Sequence, residues 1–300
     1  MYSRKKMKTF TSSYWDKIHQ TADYINNADY LVIGVGSGMS ASGGLCYTDP
    51  ALAEKWYPEY FKQGKKSIFE IMSNHWATTI NEKNATVYWG FWAQHIYHVR
   101  YEPEATLPYQ NLFRIVQNKS YYICTTNVDH QLNKAGFCGN SIFAPQGDYA
   151  LFQCTIPCTR DVYNNEAIIK TMINNMVSAI EIRQEDIPYC PKCGNHLMPN
   201  LRCDDRYVEE PHIKNQNVYS NFINNAIVRN FVLLELGVGY NTPTIIRYPF
   251  EAITLKFPHA TLIRINNSDA NVHEDNADKS ICIQDDIGKV LADLSGEMNR

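Results

Sequence analysis

Tyr30-Leu31-Val32-Ile33-Gly34-Val35-Gly36-Ser37-Gly38-Met39-Ser40-Ala41 passes from an apolar run into alternating glycines and small residues. Tyr30 to Ile33 reads as a buried strand. Gly34, Gly36 and Gly38 then bare the backbone where side chains would block approach. With a helix starting just beyond, free N–H groups and the helix dipole suit a pyrophosphate. A plain tight turn after a core strand shares this glycine spacing, so the choice depends on the rest of the chain.

On both sides of this loop strands alternate with helices. A helix capped by Ser12 or Ser13 carries Trp15, Ile18, Ala22 and Ile25 at helical spacing. Glu54 to Phe61, Ile68 to Ile80 and Val87 to Tyr101 read as helices, and Leu112 to Val116 as a short one. The aromatics Trp89, Phe91, Trp92, Tyr97 and Tyr101 belong to a core rather than a binding platform. Ser120 to Thr125 is a second buried strand and Ser141 to Ala144 a third. Asn230 to Gly237 is continuously apolar, as a strand covered on both faces should be. A second glycine loop, Gly237-Val238-Gly239-Tyr240, follows it, and Thr242-Pro243 opens a helix. Ala260 to Ile265 and Ile281 to Ile283 are the last strands, and Asp285 to Leu294 is a closing helix. This alternation predicts an α/β fold with a doubly wound parallel sheet of the Rossmann-like kind. From about Ala150 to Asn217 the periodicity breaks around one helix, Asn165 to Met176. The expected division is 12–149 and 218–300 for the two parts of the sheet domain and 150–217 for a smaller insertion.

The net charge of −3 over 300 residues leaves no bulk basic field for nucleic acid. No apolar run reaches the length of a membrane span. The basic segment Ser3 to Lys8 has no apolar stretch behind it, so it is not a secretory signal. A short tail on a cytoplasmic protein is expected, with an organellar presequence as the other reading. Five of the nine cysteines, Cys154, Cys158, Cys190, Cys193 and Cys203, crowd into the insertion, which suggests metal rather than disulfides. Cys154-x₃-Cys158 and Cys190-x₂-Cys193 offer four thiolates for one closed, tetrahedral, structural zinc. Cys203 is a reserve ligand. Cys46, Cys124, Cys138 and Cys282 read as small buried apolar residues, with Cys46 near the first glycine loop.

Thr126-Asn127-Val128-Asp129-His130-Gln131 follows the second strand. A polar cluster at the carboxyl end of a parallel strand is where open α/β sheets hold ligands; an Asx turn is the other reading. Four motifs now stand in order, and together they resemble a sirtuin over about residues 15 to 295. Gly36-Ser37-Gly38-Met39-Ser40-Ala41-Ser42-Gly43-Gly44 is similar to the family's G-A-G-x-S-x-x-x-G loop. Thr126-Asn127-Val128-Asp129, with Ala135-Gly136, is similar to T-Q-N-x-D…A-G. Gly237-Val238-Gly239 sits where the family has G-T-S, and Asn266 where it holds the adenosine ribose. The cysteine pairs fall where sirtuins insert a zinc module. The resemblance implies NAD as co-substrate, held by Gly36, Ser37, Gly38, Met39, Ser40, Thr126, Asn127, Gly237, Val238, Gly239 and Asn266.

The departures point to a branch of that family. Deacylating sirtuins carry P-D-F-R where this chain has Cys46-Tyr47-Thr48-Asp49, and a histidine base where it has Gln146 in Pro145-Gln146-Gly147-Asp148. The histidine that usually follows N-x-D is Leu132. These features look like the macrodomain-linked (class M) sirtuins. That implies protein mono-ADP-ribosylation, a lipoylated glycine-cleavage-H-like carrier as acceptor and a macrodomain hydrolase as functional partner. The catalytic residues would be Asn127, Asp129 and Gln146. Asn127 would position the ribose, and Asp129 would stabilise positive charge at C1′. An amide has no pKa near the working pH, so Gln146 would orient rather than deprotonate. His130, beside Asp129, is a candidate base that reads more simply as a surface histidine. An NAD-dependent deacylase, an NAD hydrolase and a non-catalytic NAD sensor with the zinc module as interaction surface are the competing readings.

Overall fold

The computed structural model describes residues 13–299. Ser3 to Lys8 and the alternative cap Ser12 lie outside the described residues. Ser13 starts the first helix, Tyr14–Asn27, through a reciprocal capping box with Asp16. Ile18, Thr21, Ala22 and Ile25 form its buried face, while Trp15 is exposed. Nine strands follow: β1 (Tyr30–Val35), β2 (Tyr121–Thr125), β3 (Ile142–Phe143), β4 (Gly147–Cys154), β5 (Tyr163–Asn164), β6 (Leu197–Leu201), β7 (Phe231–Leu236), β8 (Ala260–Ile265) and β9 (Ser280–Ile283).

Six of them make one parallel sheet in the order β3-β2-β1-β7-β8-β9. The helices Tyr14–Asn27, Leu107–Val116 and Ile287–Met298 cover one face and Gln216–Ala226 with Arg247–Lys256 the other. The expected doubly wound sheet is therefore present. From β1 the chain runs outward to β2 and β3, and from β7 it runs the other way to β8 and β9, so β1 and β7 flank the point where strand order reverses. Such a point opens a crevice beyond the carboxyl ends of the strands. The helix expected at Thr242-Pro243 begins later, at Arg247. Glu235 and Arg264 face each other across β7 and β8 with no exposure, at 2.7 Å, and Arg264 also reaches Glu251 at 2.6 Å. Pairing and added hydrogen bonds offset the cost of burying these charges.

The region from about Ala150 to Asn217 is more regular than its sequence suggests. β5, β4 and β6 form a small antiparallel sheet. The register between β4 and β6 shifts between Gly147 and Phe152, and a bulge breaks the alternation by which a strand is recognised. This sheet shares a core with the aromatic-rich helices of residues 50–101: Trp89, Phe91 and Trp92 pack with Tyr149, Phe152 and Leu197. The helical segment before β2 and the small antiparallel sheet after β3 thus form one packing unit. Cys124 is buried as expected, but Cys46 and Cys282 are half-buried and Cys138 is exposed. No helix among the described residues is long and apolar enough to cross a membrane.

Candidate active site

The loops that leave β1 and β7 touch. Gly36 N–H donates to Leu236 O at 2.9 Å and Gly38 N–H to Gly237 O at 3.0 Å. A Cβ at Gly36 would lie 2.5 Å from Gly237 O, and one at Gly38 2.8 Å from Gly237 Cα. Gly237 itself has φ +64, the left-handed region that favours glycine. The alternating glycines therefore let two loops pack backbone to backbone; they do not simply clear space for a ligand. Met39 and Val238 are both buried in the core. Asn266 donates from Nδ2 to Val238 O at 3.1 Å, and its Oδ1 accepts from Ser268. Arg247 donates to the same Val238 oxygen at 3.2 Å. These residues shape the second loop from behind.

A cleft of about 390 Å³ opens beside this contact, lined among others by Ser37, Gly38, Ser40, Thr126, Asn127 and Asp129. Of the expected cofactor residues, Gly36, Met39, Gly237, Val238, Gly239 and Asn266 are not in its wall. The wall also includes Cys46 and Tyr47, from the segment that stands in place of P-D-F-R, and Phe69, Met72, Tyr149 and Asn241, which no motif marked. Cys46 Sγ lies 3.4 Å from Thr48 Oγ1. Tyr149 could not be found by spacing, because the bulged strand β4 that carries it was not legible.

The cleft floor is a hydrogen-bonded cluster. Asn127 Nδ2 donates to Gly36 O at 2.9 Å and lies 3.1 Å from Ser40 Oγ and 3.0 Å from Tyr109 OH. The Gly36 carbonyl only accepts, which fixes the amide's orientation. Asn127 Oδ1 has no partner among the described residues. Ser40 Oγ also meets Tyr109 OH at 2.7 Å and donates to Asp129 Oδ2 at 2.5 Å. Gln131 N–H donates to Asp129 Oδ1. Asp129 is buried, and burial raises its pKa above the usual carboxylate value against the pull of Ser40 and the Gln131 N–H. Tyr109, fully buried on the helix Leu107–Val116, is a site residue that no motif marked.

Gln146 is not in the cleft wall. Its backbone carbonyl accepts Arg202 N–H at 3.0 Å, and its Oε1 is buried without a hydrogen-bond partner. His130 adopts φ 64, the one positive value outside glycine among the described residues. It lines a small neighbouring pocket with Asp148, whose Oδ2 lies 3.7 Å from Nδ1. Burial, with Arg100 nearby, lowers its pKa. Leu132 is in the core.

The four cysteines Cys154, Cys158, Cys190 and Cys193 hold their sulfurs within 4.8 Å of one another. Cys154 and Cys193 are 3.5 Å apart, Cys158 and Cys190 3.6 Å. A zinc–sulfur distance of about 2.3 Å in a tetrahedron needs edges of about 3.8 Å, so the residues fit a zinc ion. The Asn195 side chain, 3.2 Å from Cys193 Sγ, and its backbone N–H pull that thiol down to about 6. Cys203 is exposed and outside the cluster.

No protein-family model matches the chain. It is 29% identical over 269 residues to a protein ADP-ribosyltransferase of Staphylococcus aureus, covering 89% of this chain and 83% of that protein. It is 26% identical over 281 residues to a "probable bifunctional ADP-ribose hydrolase/ADP-ribosyltransferase" of Fusarium oxysporum f. sp. cubense, covering 90% of this chain but 46% of that longer protein. Among solved structures, a Sir2 homolog–NAD complex superposes with a TM-score of 0.59 at 16% identity, covering 94% of this chain and 93% of that one. A Sir2–p53 peptide–NAD complex gives 0.55 at 16% identity, covering 94% and 98%. The fold is that of the Sir2 structures.

Proposed function

We propose that this sirtuin-like chain is an NAD-dependent protein mono-ADP-ribosyltransferase that carries one structural zinc. The observation that carries the reading is the floor cluster of Asn127, Ser40, Tyr109 and Asp129 in a cleft with no histidine among its lining residues. The names of the two relatives point the same way. Bound NAD supplies a ribose C1′ that becomes electrophilic as nicotinamide leaves. Asn127, its amide nitrogen locked by three oxygens, presents Oδ1 to orient a ribose hydroxyl. Asp129, held by Ser40 and a backbone N–H, places negative charge beside the developing cation, and its low-dielectric setting strengthens that effect. Deacylation needs a base to activate a ribose hydroxyl afterwards; Gln146 cannot titrate there. The sulfurs of Cys154, Cys158, Cys190 and Cys193 hold the zinc, which shapes the smaller module.

The acceptor we propose is a protein, with a lipoylated glycine-cleavage-H-like carrier as the first candidate and a macrodomain hydrolase as the enzyme that reverses the modification. Incubation with NAD and candidate proteins, read by mass spectrometry, separates the reactions. Added ADP-ribose on a protein is expected. Acyl loss from acetyl-, succinyl- or lipoyl-lysine peptides without any ADP-ribosylated protein would overturn the proposal in favour of a deacylase. Free ADP-ribose alone would overturn it in favour of a hydrolase.

A further inference from the structure

His95 lies at the heart of the second core with no exposure, and its two ring nitrogens each meet one phenol. Nδ1 is 3.1 Å from Tyr57 OH and Nε2 is 3.0 Å from Tyr149 OH. Phe91 stacks on the ring at 5.6 Å, and Tyr47 and Trp92 close its edges. Among the described residues no carboxylate faces the imidazole, so burial keeps it neutral, with a pKa pushed down to about 3. Tyr149 and Tyr47 both line the cleft beside Asp129.

The protons of this chain can be counted. Tyr57 is buried, and its hydroxyl has no other acceptor than Nδ1 among the described residues. It therefore donates there, since an unsatisfied buried donor is costly. A neutral imidazole that accepts at Nδ1 carries its proton on Nε2 and donates it to Tyr149. Tyr149 then keeps its own hydroxyl proton, which is free to donate into the cleft. With the opposite tautomer, Tyr149 would spend that proton on Nε2, and none would remain. A group buried behind the cleft wall thus sets whether the wall offers a donor.

We propose that His95 is a positioning residue whose Nε2–H tautomer makes the Tyr149 hydroxyl a hydrogen-bond donor toward an oxygen at the nicotinamide-ribose end of NAD. This rests on the proposed function only in taking NAD as the ligand of the cleft.

The test uses the whole chain labelled with ¹⁵N-histidine, together with calorimetry. His95 should show the neutral Nε2–H pattern. Tyr57→Phe, which touches nothing in the cleft, should shift the tautomer balance toward Nδ1–H. It should also weaken NAD binding roughly tenfold, the worth of one hydrogen bond, as should Tyr149→Phe. Binding of ADP, which has no nicotinamide ribose, should not change in either variant; a merely structural loss would weaken both ligands. An Nδ1–H tautomer in the unmodified protein would overturn the proposal even if every variant failed to fold. So would a shifted tautomer in Tyr57→Phe with unchanged NAD affinity, or NAD and ADP weakened alike. Failure of the unmodified chain to bind NAD would overturn this inference and the proposed function together. NAD binding without transfer to any acceptor would overturn the function alone.

Discussion

Asn127 shows how much one amide is asked to do. Its Nδ2 ties Gly36 on one strand end to Ser40 and Tyr109 on two helices, so truncation removes both the tie and the unpartnered Oδ1 of a cleft-lining residue. Asn127→Ala should lower ADP-ribosyl transfer by roughly 10²–10³-fold, the range for a lost preorganised polar group, with the fold kept by circular dichroism. Gln146→Ala should act through orientation alone and cost up to about 10²-fold; equal transfer in mutant and parent would remove Gln146 from the site. Asp129 gives a prediction of opposite signs. Its folded pKa is raised by burial, so the ionised form that the chemistry needs is the one the fold disfavours. The stabilising contribution is present below the unfolded value and is lost as pH rises through the raised folded value. Transfer should therefore fall away on the acid side at a pH above that of an ordinary aspartate. Asp129→Asn should abolish transfer while raising Tm at neutral pH, the usual exchange of stability for function. A lower Tm in that variant would mean that the Ser40 bond outweighs the burial.

At the scale of elements, the strands were legible because their apolar runs are continuous, and the parallel sheet with its motifs at the strand ends followed. What could not be read was the reason for the glycines and the second sheet. Glycine spacing looks the same whether a loop makes room for phosphate or for another loop, and only the adjacency of β1 and β7 distinguishes them. β4 escaped notice because its bulge breaks the period of two. Tyr149 and the cleft wall it builds were lost with it. The loop contact leads to a graded prediction. Gly38→Ala and Gly237→Ala push backbone against backbone, and Gly237 adds a left-handed φ, so each should destabilise by about 1–3 kcal/mol in urea denaturation. Gly239 has nothing within 4 Å of an added Cβ, and Gly239→Ala should be close to neutral. Equal loss of stability at all three positions would argue against the loop contact as their purpose.

Across the whole molecule, the cysteine pairs could be read from spacing, but their reach could not. The sheet β5-β4-β6 that carries Cys154 at the end of β4 packs with the helices of residues 50–101 in one core. That core holds Tyr149 and Tyr57 and is joined at its edge by Tyr47. A zinc ion at Cys154, Cys158, Cys190 and Cys193 would therefore support a wall of the cleft, although four thiolates leave it no open position for chemistry. Binding energy at such a site is folding energy. Elemental analysis of purified protein should find one zinc per chain. Cys193→Ser should destabilise by several kcal/mol, while Cys203→Ser, outside the cluster, should not. Because the parallel sheet has its own core on both faces, chelation should unfold the smaller module first and produce two thermal transitions in place of one. Transfer should disappear with the lower transition. Full activity after complete zinc removal, with a single unshifted transition, would show that the cleft wall does not depend on the metal.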